Sequence, residues 1–216
     1  MLEKWTRDGR TMILAADDLL DWIADRGALL TAAWGPQIEA TLVWDRPFAD
    51  AFAAELHTAM VTTLLRGGDE KNFLGLITRS NTGLDAKVER TLAERFYNVT
   101  LKLARAASRH VREDRIRRTF PLKRAWVVGD TRTSPGHFAL DGIVLPYDHP
   151  FWQKWHPPLD MDCRCAASPL TRGQFERSGL AITSEAELTD REARLYGAWP
   201  IEFLPLLDFR GFAVAG

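Results

Sequence analysis

Cysteine is scarce, with only Cys163 and Cys165 in 216 residues. A disulfide framework is therefore excluded, and a bridge across the single residue between them would close a strained ring. Two reduced thiols are expected, as in a cytosolic chain. Long apolar runs are missing as well: none approaches the roughly 18 residues that cross a bilayer, so no membrane partner is expected. The opening stretch MLEKWTRDGRTMILAADDLL carries acids close behind its apolar run and lacks a small-residue cleavage site, which argues against a secretory signal. Net charge is nearly absent too, with 28 Lys and Arg against 29 Asp and Glu, so no overall field marks a nucleic-acid or membrane binder. There is no phosphate-cradling glycine loop and no metallohydrolase motif.

What is present is a globular composition, 46% hydrophobic, ample for a buried core. The charge is unevenly spread. Residues 1–60 hold ten acids and five bases, whereas residues 102–124 hold nine bases and two acids. Any electrostatic preference must be local.

The first two thirds of the chain read as helical. Asp17 or Asp18 is placed to cap a helix whose Leu19, Leu20, Ile23, Leu29 and Leu30 recur at helical spacing and which is expected to end near Gly35-Pro36. A second helix starts around Pro47, with Phe48, Phe52, Leu56, Met60 and Leu64 four apart, and closes at Arg66-Gly67-Gly68-Asp69. Residues 67–83 are polar but carry Phe73, Leu74, Leu76 and Ile77, which suggests a short element rather than a linker. The strongest periodicity runs from Leu84 to Glu113, through Val88, Leu92, Phe96, Val99, Leu103, Ala107 and Val111. A helix of roughly 30 residues makes a rod about 45 Å long.

After Pro121 the texture changes. Ala125-Trp126-Val127-Val128 reads as a buried strand, Asp130-Thr131-Arg132 as a turn, and Ser134-Pro135 as the start of a short helix carrying His137. Asp141-Gly142 stops that helix, and Ile143-Val144-Leu145 gives a second strand. Prolines 146, 150, 157 and 158 then force a loop-rich path to the cysteines. A helix is expected at 184–196, followed by an apolar tail from Trp199 to Phe212 that needs cover on this chain or a partner. The fold class is α+β: an N-terminal helical region (1–83), a long helix with a small loop-rich α+β domain (84–170), and a C-terminal helix with an apolar tail (171–216).

The stretch VVGDTRTSPGHFALDGIVLPYDHPFWQKWHPPLDMDCRC resembles the Mu F-like, or SPP1 gene-7-like, head morphogenesis proteins of tailed bacteriophages. The blocks that carry the resemblance are Asp130, Arg132 and Thr133, Pro135 and His137, Leu140-Asp141-Gly142, Asp148 with Pro150-Phe151-Trp152, Pro157-Pro158, and Cys163-Arg164-Cys165. It extends upstream into the long helix, over about residues 90–170. Leu159-Asp160-Met161-Asp162 departs from the Gly-aromatic or His-Pro run that many relatives carry before the first cysteine. The resemblance implies a minor capsid protein of the virion, built in the host cytoplasm. Its implied partner is the portal protein or the inner capsid surface, and some members contact double-stranded DNA.

Two readings of the motif residues remain open at this level. In one, Asp130, Arg132, His137, Asp141, Gly142, Cys163, Arg164 and Cys165 form a hydrogen-bonded scaffold for a loop-rich domain, with packed thiols and no cofactor. In the other, Cys163 and Cys165 point to one side of an extended segment and bind zinc with His137 or His156 and with Asp141. A catalytic cysteine would need a depressed thiol pKa and an open cleft, and no enzyme is expected. Arg105, Arg109, Arg112 and Arg115 recur at about one helical turn. They form a stripe that would meet DNA phosphates, an acidic protein surface or solvent.

Overall fold

The computed structural model describes residues 16–42, 45–78, 85–195, 203 and 206. The chain divides into two compact units, residues 1–108 with 200–216, and residues 109–199.

The first unit is helical: α1 (Ala16–Asp25), α2 (Gly27–Leu42), α3 (Arg46–Leu65), α4 (Glu70–Ile77) and the part of α5 (Ala86–Ile116) up to Ser108. The sequence predicted one helix ending at Gly35-Pro36, but the chain breaks earlier, at Arg26, and α2 runs through Pro36. Side-chain chemistry decides both points. At the break, His57 of α3 donates from Nε2 to the Ile23 carbonyl over 2.8 Å, and a Cβ on Gly27 would sit 2.7 Å from the His57 ring. Further along, a Cβ on Gly35 would collide with the Asp50 carboxylate, so the bare backbone lets α3 close against α2. Pro36 costs α2 one intrahelical hydrogen bond, yet the helix runs on to Leu42. Asp17 and Asp18 lie inside α1, which begins at Ala16, so neither is its cap.

In α3, Asp45 is the N-cap, accepting from the Phe48 amide, and Pro47 sits in the first turn. Phe52, Leu56 and Met60 of the predicted row are buried, but Phe48 at its start is 67% exposed. The short element foreseen within 67–83 is α4, opened by a capping box between Asp69 and Asn72. In α5 the apolar row buries Leu92, Phe96, Val99, Leu103 and Ala107, while Val88 is exposed. Leu84 lies outside the described residues. Trp34 is the centre of the core, with Phe96 at 5.3 Å and Phe203 of the tail edge-on at 5.5 Å. Within the tail, Phe203 and Leu206 are buried, and the rest lies outside the described residues.

The second unit begins with the end of α5 and is built on a three-stranded antiparallel sheet in the order β2-β1-β3. The strands are β1 (Leu122–Trp126), β2 (Val144–Pro146) and β3 (Ala166–Leu170). Sequence reading placed the first strand at 125–128. It lies earlier because the ladder stops at Trp126, and the Val127 amide donates instead to the Asp141 carboxylate at 3.0 Å. Alternation along β1 turns Lys123 and Ala125 inward, and a lysine at an inward position hides the strand from a hydrophobic pattern. Arg124 and Trp126 share the other face, with the guanidinium 3.6 Å from the ring centre.

Three elements of this unit had no sequence expectation: α6 (Phe151–Trp155), β3 and α7 (Arg172–Ser178). β3 contains Pro169, which an edge strand tolerates because its outer amides need no ladder partner. The helix expected at 184–196 is the shorter α8 (Glu185–Glu192), capped by Ser184. The expected short helix at His137 is a 3-10 helix, Pro135–Leu140, whose leading Ser134 makes no side-chain cap. Gly142 follows it at φ +74°, a left-handed conformation that glycine adopts without a Cβ penalty. α8 closes on this turn, because Arg191 donates to the Asp141 carbonyl at 2.6 Å and to the Ala139 carbonyl at 3.2 Å.

Lys123 is wholly buried, and its ammonium lies 3.2 Å from the Glu113 carboxylate of α5 and 4.0 Å from the centre of the Tyr147 ring. Burial, the largest influence on both, lowers the lysine pKa and raises that of the glutamate, while their mutual attraction opposes it. Breaking a buried pair leaves one uncompensated charge, which costs about 3–5 kcal/mol. Lys123→Met is expected to destabilise the protein by that amount, and Lys123→Met with Glu113→Leu to recover most of the loss. Urea unfolding of the three proteins checks this; an equal loss in the single and double variants would contradict it.

Candidate functional site

The motif residues converge at the start of β3. Cys163 and Cys165 flank Arg164 on the segment entering that strand, and His137 comes from the 3-10 helix. Both cysteines are free thiols, Cys163 buried and Cys165 half-buried. His137 is 2% exposed, with its Nδ1 3.8 Å from Cys165 Sγ. One ligand atom from each of His137, Cys163 and Cys165 falls within 4.8 Å of the other two, the one such group among the described residues.

The far side of the imidazole meets a carboxylate. Nε2 lies 3.3 Å from Asp160 Oδ2, which also accepts from the Ser134 hydroxyl at 3.4 Å. Asp160 Oδ1 accepts the Asp162 amide at 3.0 Å. Asp160 is thus a hub of the site to which the sequence pattern gives no role, because its segment stands out only as a departure from the relatives' pattern. The Asp-x-Asp spacing was the available signal, since an aspartate readily accepts the amide two residues on.

Arg164 forks onto Asp130, donating from Nη1 to Oδ2 at 2.8 Å and from Nη2 to Oδ1. Asp130 also accepts the Arg132 amide at 3.0 Å and the Thr133 hydroxyl at 3.3 Å. The Arg164 fork, more than any other contact, holds the Asp130 carboxyl well below the usual range. The Arg132 side chain is exposed and only 3.9 Å from Asp130. Asp141 accepts the Val127 amide instead of joining the cysteines.

The two thiols are electrostatically unequal. A hydrogen bond from Cys165 pulls Cys163 down to about 4, helped by His137 and opposed by burial. Cys165 is pushed up because its proton is held by its neighbour, and burial adds to the effect. The bond to Cys163 is also the largest influence raising the His137 pKa, with charge from Cys163 and Asp160 adding and burial opposing.

His156, the other predicted zinc ligand, sits elsewhere. Its Nδ1–H donates to the Pro157 carbonyl at 2.8 Å, and its ring lies edge-on to His110 at 5.5 Å and near Trp152. Of the predicted arginine stripe, Arg105 is exposed in the first unit. Arg109 and Arg115 are exposed in the second, and Arg112 there is half-buried and engaged.

Residues 54–168, from within α3 to β3, match the family model described as Phage Mu protein F like protein. The chain belongs to that family. Within it, the Mu F-like chain is 32% identical over 87 residues to a protein named as capsid assembly protein F of Escherichia phage Mu, a match covering 40% of this chain and 20% of that protein. It is 38% identical over 74 residues to the Mu-like prophage FluMu F protein of Haemophilus influenzae, covering 34% of this chain and 18% of that one. The matched segments thus span about a fifth of these curated relatives. No solved structure matches the chain.

Burial, then the nearby Lys123 and His110 charges, lower the His156 pKa from 6.5 to about 3. The folded state therefore binds this proton less readily than the unfolded state, so the associated stability is fully present above about pH 6.5 and is lost as pH falls toward 3. Urea midpoints are expected to fall across that window, with a shallower slope in His156→Phe. In nuclear magnetic resonance titrations the His156 ring is expected to stay neutral at pH 5 and above, roughly two units above its pKa. A midpoint near the ordinary histidine value would contradict this assignment.

Proposed function

We propose that this chain is a minor capsid protein of a tailed phage or prophage. It acts in head morphogenesis, in procapsid assembly at or near the portal, with a place in the virion head. The observation that carries the reading is the Mu F-like match across residues 54–168, together with the capsid-assembly name borne by a relative. The role is structural and not enzymatic. His137 and Cys163 are almost wholly buried, which suits loops locked to one another better than a nucleophile that must reach a substrate.

The scaffold supports this role physically. Asp130–Arg164, His137–Asp160 and Arg191 on the Asp141 carbonyl tie residues far apart in sequence, so a loop-rich domain keeps one shape without a large sheet. A defined shape is what docking to the portal protein or the inner capsid surface requires. A contact with double-stranded DNA is favoured by Arg109, Arg115 and Arg118, all exposed in the second unit. Such contact would be independent of sequence and weakened by salt.

The test is co-expression of the tagged chain with the portal and major capsid proteins of the same phage. Recovery of the chain in procapsids, or co-elution with the portal protein, is the expected result. Absence from both at every salt concentration, with retention on DNA that falls steeply as salt rises, would replace the assembly reading by a genome-binding one.

A further inference from the structure

Cys165 and His137 stand at the spacing of neighbouring ligands in a metal shell, with Cys163 close beside them. Zinc binds thiolate at about 2.3 Å and imidazole nitrogen at about 2.0–2.1 Å, so neighbouring ligand atoms in a tetrahedral site stand about 3.6–3.8 Å apart. Cys165 Sγ and His137 Nδ1 are 3.8 Å apart, and all three ligand atoms lie within 4.8 Å of one another. We propose that Cys163, Cys165 and His137, through Nδ1, bind one zinc ion that staples the 3-10 helix to the segment entering β3.

Three further features agree with this assignment. Metal-bound histidines commonly give their second ring N–H to a carboxylate, which fixes the tautomer and the ring plane. Asp160 Oδ2 stands in that place, 3.3 Å from Nε2, at ion-pair distance and without an aligned hydrogen bond, and is itself steadied by Ser134 and the Asp162 amide. The intervening Arg164 is committed to Asp130, so its guanidinium does not take the cation's place between the sulfurs. The three ligands also line one recess, together with Ser134, Asp162, Arg132 and Arg164. The site is defined by its donor atoms alone and does not depend on the capsid role.

Full-length protein purified under reductant, loaded with zinc and dialysed, is expected to retain one zinc per chain. X-ray absorption at the zinc edge is expected to show two sulfur ligands, with nitrogen or oxygen completing the shell. Cobalt substitution is expected to give a thiolate charge-transfer band and the intense visible bands of a tetrahedral site. Cys165→Ser should lose retention, Asp160→Asn should bind roughly 10–100-fold more weakly, and His149→Gln should match the parent. The parent's own spectra carry the decision, so the test does not depend on the cysteine variant folding. No retained metal, a cobalt spectrum without thiolate bands, or undiminished retention in folded Cys165→Ser would each overturn the proposal.

Discussion

A lysine with no exposure, on the middle strand of a three-stranded sheet, constrains everything around it. Lys123 must keep a carboxylate within reach or lose its charge, and the available one is Glu113 on the last turns of α5. The pair therefore sets where the end of the long helix meets β1. β1 in turn sets the other strands, because its two edges are the ladders to β2 and β3. β3 begins one residue after Cys165, so the placement of the cysteines opposite His137 descends from the same ion pair.

The pair also shapes the charge field of its neighbours. Tyr147 lies under the ammonium, and burial is the main reason its hydroxyl resists ionisation. His110 and His156 are both lowered, first by burial and then by Lys123. This corner of the second unit thus holds one buried cation and neutral imidazoles. The motif corner is organised in the opposite sense, around the Asp130 and Asp160 carboxylates and the Cys163 thiol, whose pKa is lowered, with Arg164 and His137 as their partners.

Loops in that corner are held by side chains doing the work of a ladder. Asp130, Asp141 and Asp160 each accept a backbone amide, and Asp130 and Asp160 also take a side-chain donor or charge from a distant segment. Thr183 adds another tie, exchanging hydrogen bonds with Val144 through its hydroxyl and its amide. Each such bond contributes on the order of 1 kcal/mol net, but leaving a buried partner unmade costs more, so the set acts together.

The amino-acid sequence alone determined what depends on neighbours along the chain. Regular apolar spacing marked α3 and α5, Pro47 marked a first turn, Asp141-Gly142 marked the end of the 3-10 helix, and the ordered motif blocks marked the family. Tertiary structure decided what depends on residues far apart. His57 broke the first helix at Arg26, and Asp50 beside Gly35 let α2 continue past Pro36. The inward Lys123 belongs to a strand only because Glu113 waits behind it, and Pro169 belongs to one only because β3 is an edge. At the site, the sequence supplied the cysteines and two candidate histidines with no means of choosing between them. The fold brought His137 to the sulfurs and Asp160 to its other nitrogen, and buried His156 beside His110. Spacing along a chain fixes only local geometry; convergence of side chains is set by packing.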